Sequence, residues 1–94
     1  MKKYFVGPAD PHTYPTEYYG VAVIEDQHGE WVADLCPTAV LCILNCEQLE
    51  QQVAEILNLD PLTVFATPIG PDVSGDPSVR NLYVNSDNWL ITVK

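Results

Sequence analysis

The run Asn45-Cys46-Glu47-Gln48-Leu49-Glu50-Gln51-Gln52-Val53-Ala54-Glu55-Ile56-Leu57-Asn58-Leu59 sets the fold class, because no other stretch of the chain has an unambiguous helical pattern. Asn45 can accept a hydrogen bond from a free amide of the first turn, and Gln48, three residues on, completes a capping box. Leu49, Val53, Ile56 and Leu57 recur at helical spacing and form one apolar stripe. Glu47, Gln51, Glu55 and Asn58 form a polar stripe on the other side. Asp60-Pro61 ends the helix, since the residue before a proline avoids the α region and proline has no N–H to donate. A stripe of this kind must be buried against another element.

On either side of the helix the chain reads as strands and turns. Residues 18–25 and 30–36 make the clearest hairpin. Val21, Val23 and Glu25 alternate with Ala22, Ile24 and Asp26, and the link Asp26-Gln27-His28-Gly29 supplies a turn glycine. In the return strand, strict alternation sets Trp31, Ala33 and Leu35 on one side and Val32, Asp34 and Cys36 on the other, with Trp31 expected against the helix stripe. Residues 3–6 suggest a first edge strand stopped by Gly7-Pro8. Residues 9–17 are rich in proline and turn formers and read as an irregular surface segment, with Tyr14, Tyr18 and Tyr19 crowded at its end.

Residues 37–44 admit two readings. Thr38 caps a helix that runs into the next one, or residues 39–44 form a third, buried strand; the β-branched Val40 and Ile43 and the fresh cap at Asn45 favour the strand. After the helix, residues 62–67 read as a strand closed by Pro68, residues 69–78 as a long loop, and residues 79–84 and 89–93 as a second hairpin turning at residues 85–88. The expected architecture is one domain over residues 1–94, class α+β: an antiparallel sheet of about five strands with one α-helix packed across a face.

Several function classes are excluded at this level. The longest uncharged apolar run, residues 39–44, is too short to span a bilayer. Met1-Lys2-Lys3 resembles the start of a signal peptide, but Gly7, Pro8 and Asp10 interrupt what should be its apolar run, so a cytoplasmic location is expected. Cys36, Cys42 and Cys46 are odd in number and match no zinc-ligand spacing, which points to free thiols and to no metal or other cofactor. His12 and His28 lie in turn-rich segments away from these thiols, so no nucleophile and base pair is indicated and no enzymatic activity is expected. Gly70-Pro71-Asp72-Val73-Ser74-Gly75 lacks the lysine of a phosphate loop. Asp72 to Asp76 lacks the distal glutamate of an EF-hand.

Charge is the unusual property. Thirteen acids against four bases give a formal net charge of −9 at pH 7. No lysine or arginine occurs between Lys3 and Arg80, whereas twelve of the thirteen acids do. Nucleic acid and anionic membranes would repel such a chain, so the expected partner is a protein with a basic, nucleic-acid-binding surface. Glu25, Asp26, Glu30, Glu47, Glu50 and Glu55 are the candidates for long-range attraction, and Tyr14, Tyr18 and Tyr19 for desolvated anchors. Gathered on one side, the acids would approach the charge density of duplex DNA, one charge per ~1.7 Å of axis.

In charge, size and compactness the chain resembles the small acidic proteins by which phages block host defences, the anti-restriction and anti-CRISPR inhibitors. That resemblance implies an inhibitor that covers the nucleic-acid site of a larger protein by mimicry. The alternatives are acids spread around the domain for solubility, and an assembly module that forms a homodimer through an exposed strand edge.

Overall fold

The structure, a computed structural model, describes residues 2–69 and 88–94. The expected strand over residues 79–84 and the loop over residues 70–78 lie outside the described residues. Five strands, β1 (Lys2–Pro8), β2 (Val21–Asp26), β3 (Trp31–Pro37), β4 (Val64–Pro68) and β5 (Trp89–Val93), form one antiparallel sheet in the order β3-β2-β1-β5-β4. A short helix, α1 (Thr38–Leu41), and the main helix, α2 (Cys46–Leu57), cover one face. The protein is therefore α+β, a five-stranded antiparallel sheet with one main helix packed against it.

The capping box at the start of α2 is complete. Gln48 N–H donates to Asn45 Oδ1 at 2.8 Å and Asn45 N–H donates to Gln48 Oε1 at 3.0 Å. The helix ends earlier than residues 59–60, because Asn58 turns left-handed at φ 58° and Leu59 N–H reaches back to the Ala54 carbonyl at 2.8 Å, a Schellman closure. Asp60 serves the next element instead: its Oδ1 accepts from Leu62 N–H, capping the tight turn Pro61–Thr63 that precedes β4. The strand after α2 thus begins at Val64, and Leu62 is exposed. The buried stripe of α2 is Cys46, Leu49, Glu50, Val53 and Ala54, while Ile56 faces solvent.

Residues 38–44 are helix and turn, not a third strand. Pro37 holds the extended geometry of an N-cap, Thr38 N–H is fixed to the Gly20 carbonyl at 2.9 Å, and Cys42 N–H closes one helical turn onto Thr38. Leu41 and Leu44, three apart, go into the core and Ile43 stays out. The packing of that pair overrides the strand preference of Val40 and Ile43.

β1 is the centre of the sheet and not its edge. It pairs with β2 through Tyr4 to Pro8 and with β5 through Lys2 to Val6. On the helix side Val6, Ala22, Ile24, Val64, Ala66, Trp89 and Ile91 meet Leu41, Leu49, Val53 and Ala54. Burial of this apolar area is the main favourable term holding the two layers together.

Trp89 is the tryptophan of this core, whereas Trp31 is 50 % exposed on the other face. Two register shifts explain the difference. Cys36 pairs with Ala22 and Asp34 with Val23, then Ala33 pairs with Ile24 and Trp31 with Glu25, so Leu35 and Val32 are each an extra residue in β3. Each bulge resets the alternation, and Trp31 and Asp34, three apart, emerge together on the face away from α2.

Candidate functional site

The outer face of β2 and β3 and the segment between β1 and β2 build one surface. Asp10 organises the start of that segment: its Oδ1 accepts from His12 N–H at 2.9 Å and its backbone carbonyl accepts from Thr13 and Tyr14 N–H. The backbone bond from His12 is the chief reason that the Asp10 carboxyl is held below the usual carboxylate range. Pro15 then starts a single tight turn, Thr16–Tyr18, closed by Tyr18 N–H on the Pro15 carbonyl at 3.0 Å. Gly20, at φ 79°, reverses the chain into β2, a conformation that favours glycine.

These turns carry Tyr14 to the outer face of the sheet. Its hydroxyl donates to Glu25 Oε2 at 2.5 Å, and its ring lies 5.4 Å from the ring of Tyr18 at an interplanar angle of 46°. Partial burial, then the Glu25 carboxylate, then nearby charges that include Asp34 raise the Tyr14 phenol well above its ordinary value, so the hydroxyl stays protonated and donating. On β3 the Trp31 indole Nε1–H donates to Asp34 Oδ1 at 2.9 Å. Cross-strand pairing sets Trp31 beside Glu25 and Glu25 beside Phe5, which is 40 % exposed. Tyr19 stands free at 88 % exposure. A small recess of about 60 Å³ opens between Tyr14, Tyr18 and Tyr19 with Pro11 and Pro15 as walls.

Tyr14, Tyr18, Tyr19 and Glu25 are thus brought together, with Asp26, the next residue of β2, and Glu30 in the hairpin turn beyond Glu25. Asp26 is engaged in its own hairpin, where Oδ1 accepts from His28 N–H at 2.8 Å and Glu30 N–H at 3.0 Å. The Glu30 bond, followed by the His28 bond, lowers its pKa. Around that hairpin an open cleft of about 420 Å³ is also lined by Lys2, Lys3 and His28, so this end of the sheet carries mixed charge.

Glu47 and Glu55 are exposed on α2, which covers the opposite face of the sheet. Glu50, a candidate for long-range attraction, is instead only 9 % exposed, and its Oε2 accepts from Ala66 N–H at 2.8 Å. The described acids therefore do not share one side. In a molecule with extents of 35 × 28 × 21 Å, those of α2 and those of β2 and β3 belong to opposite layers.

Trp31 and Phe5 join this surface although nothing in the sequence marks them as contact residues, and Asp34 joins it through a face that strict alternation does not give. Alternation grouped Asp34 with Val32 and Cys36, and the bulges that regroup it have no signature in the residues themselves. Cys36 and Cys42 are half-buried and Cys46 is buried, none of them in a disulfide, and burial pushes the Cys36 thiol up. Among the described residues no three histidine, cysteine or acidic side chains come together as a metal cage, and no helix is long and apolar enough to cross a membrane. Comparison with family models, with curated proteins and with solved structures finds no match.

Proposed function

We propose that this chain is a small acidic binding protein that docks on a basic, nucleic-acid-handling surface of a larger protein and inhibits it by covering that surface. The docking face is the outer side of β2 and β3 with the tyrosine segment, not the exterior of α2. One observation carries this reading: Tyr14 to Glu25 and Trp31 to Asp34 are aromatic–carboxylate pairs joined by hydrogen bonds, side by side on one face of a strongly acidic chain. Such pairs combine the rigid, amphipathic contact area of hot-spot residues with charges that steer a cationic partner. A basic patch is the electrostatic footprint of a nucleic-acid-binding protein, which gives the partner class. The described carboxylates of α2 lie on the layer opposite those of β2 and β3, so this reading does not rest on a continuous DNA-like array of charge.

The test compares three forms of the chain, immobilised in lysate at low salt and eluted with a salt ramp: wild type, Trp31→Ala with Asp34→Asn, and Glu47→Gln with Glu55→Gln. Wild type and the helix variant are expected to retain the same protein, releasing it as salt rises, and to block its binding to nucleic acid in a gel-shift assay. The strand variant is expected to lose both. Retention that follows Glu47 and Glu55, or a retained protein that binds no nucleic acid, overturns the proposal.

A second reading draws on the sheet edges. The amide of Ala66 on β4 is capped by Glu50, whereas β3 has a strand neighbour on one side only among the described strands. An open β3 edge would serve a homodimer. Its two bulges disfavour a regular ladder, and the solution mass decides: a salt-insensitive dimer supports assembly.

A further inference from the structure

We propose that the recess between Tyr14, Tyr18 and Tyr19 seats an arginine side chain of the partner. The inference rests on the docking face described above and names the chemistry of its most enclosed point.

Size restricts the occupant first. The recess holds about 60 Å³, less than half of the ~150 Å³ apolar cavity that accepts a benzene ring. A nucleobase or an aromatic side chain would therefore not be enclosed by it, whereas a flat three-nitrogen head is small enough to enter. Shape comes next. The Tyr14 and Tyr18 rings, with centroids 5.4 Å apart and tilted at 46°, are in contact, so nothing enters between them; together they stand as one wedge-shaped aromatic wall of the recess, and Pro11 and Pro15 add apolar surface. Tyr14 is committed through its hydroxyl to Glu25, so it offers the recess a ring face. The faces of aromatic rings are electronegative and attract a cation, most of all one that is weakly hydrated and planar.

Charge complementarity selects the sign. Asp10, Glu17, Glu25 and Asp34 belong to the same loop and strands as the wedge. The cations of the described chain, Lys2, Lys3 and Lys94, sit at the opposite end of β1, where Lys2 pairs with Val93 beside the C-terminal Lys94. No cation of the described chain is therefore placed to fill the recess. The wedge is also held before any partner arrives, by the Asp10 turn, the Thr16–Tyr18 turn and the Tyr14 hydroxyl bond, which reduces the ordering cost of docking.

The experiment titrates the full chain with a nine-residue polyarginine peptide and, separately, a nine-residue polylysine peptide at the same ionic strength, followed by tyrosine ring-proton shifts. Equal charge makes long-range attraction equal, so the difference reports contact terms, ring stacking together with bidentate pairing to carboxylates, and the tyrosine variants separate the first from the second. Polyarginine is expected to bind about three- to fivefold more tightly, with the ring resonances of Tyr14, Tyr18 and Tyr19 moving most. Tyr18→Leu is expected to bring the ratio close to one by lowering the polyarginine affinity more than the polylysine affinity, while Tyr18→Phe, which keeps the ring, retains the preference. Because Tyr19 is almost fully exposed, Tyr19→Leu tests the recess with little risk to folding, and it should reduce the ratio as well.

Equal affinities in the wild type, or an arginine preference that survives both leucine variants, overturn the arginine seat and leave the basic-surface reading in place. Failure of both peptides to bind at low salt overturns the two together.

Discussion

Glutamates on an acidic surface are ordinarily solvated charges, but Glu50 acts as a backbone acceptor. Its position in α2 follows from periodicity, since residues 46, 49, 50, 53 and 54 share the face that packs on β4. There its Oε2 meets the Ala66 N–H, a donor on the edge strand β4 that no further described strand can satisfy. Removing the acceptor leaves a buried amide unpaired, which costs about 1–3 kcal/mol, whereas an amide side chain of the same shape keeps an acceptor oxygen. Glu50→Ala should therefore lower the urea midpoint by that amount and Glu50→Gln by clearly less. An unchanged midpoint in the alanine variant would show that water replaces the carboxylate and that the edge is not closed by it. On the other face the Tyr14 hydroxyl occupies one oxygen of the half-buried Glu25 carboxylate, a bond that also fixes the ring.

At the level of elements, α2 shows how much local chemistry settles. Its two capping bonds join residues three apart in sequence, so their partners are visible without any tertiary knowledge. Asn45→Ala removes one of them and exposes a first-turn amide, with an expected loss of about 1 kcal/mol in a chemical denaturation curve. Asn45→Ser, which can still cap, should recover most of it, and equal losses for both variants would assign the effect to packing instead. The first hairpin was legible for the same local reason, through its alternation and its Gly29 turn. Whatever depends on distant pairing was not. The central place of β1 comes from bonds to β5, some ninety residues away, and α1 exists because Leu41 and Leu44 find the core. The candidate surface divides along the same line. Tyr14, Tyr18 and Tyr19 were recognisable from their crowding in one segment, but Trp31 and Asp34 reach that surface only through two bulges, and a bulge changes the facing of residues without changing their kind.

For the molecule as a whole, charge acts on stability in two directions that pH separates. The formal charge is −9 and the described acids occupy both layers, so the chain repels itself, and the repulsion weakens as protons are taken up below neutrality. Opposing this, Asp10 and Asp26 have folded pKa values held below their ordinary ones by backbone N–H groups of their own turns. For a depressed carboxyl the contribution is whole above the unfolded value of about 3.9 and disappears as pH falls through the folded value. The two effects give a maximum and not a slope. In low salt the melting temperature should rise as pH is lowered from 7 to about 5, then fall below about 4 as the turns at Asp10 and Asp26 lose their acceptors. High salt should flatten the first limb, because repulsion between exposed charges is screened over about a Debye length, and should leave the second, because those bonds are made at contact. A melting temperature that declines steadily from pH 7 in low salt would mean that the acids are held apart well enough for repulsion not to matter. In that case the carboxylates act on the fold as acceptors of their own turns and not through mutual repulsion.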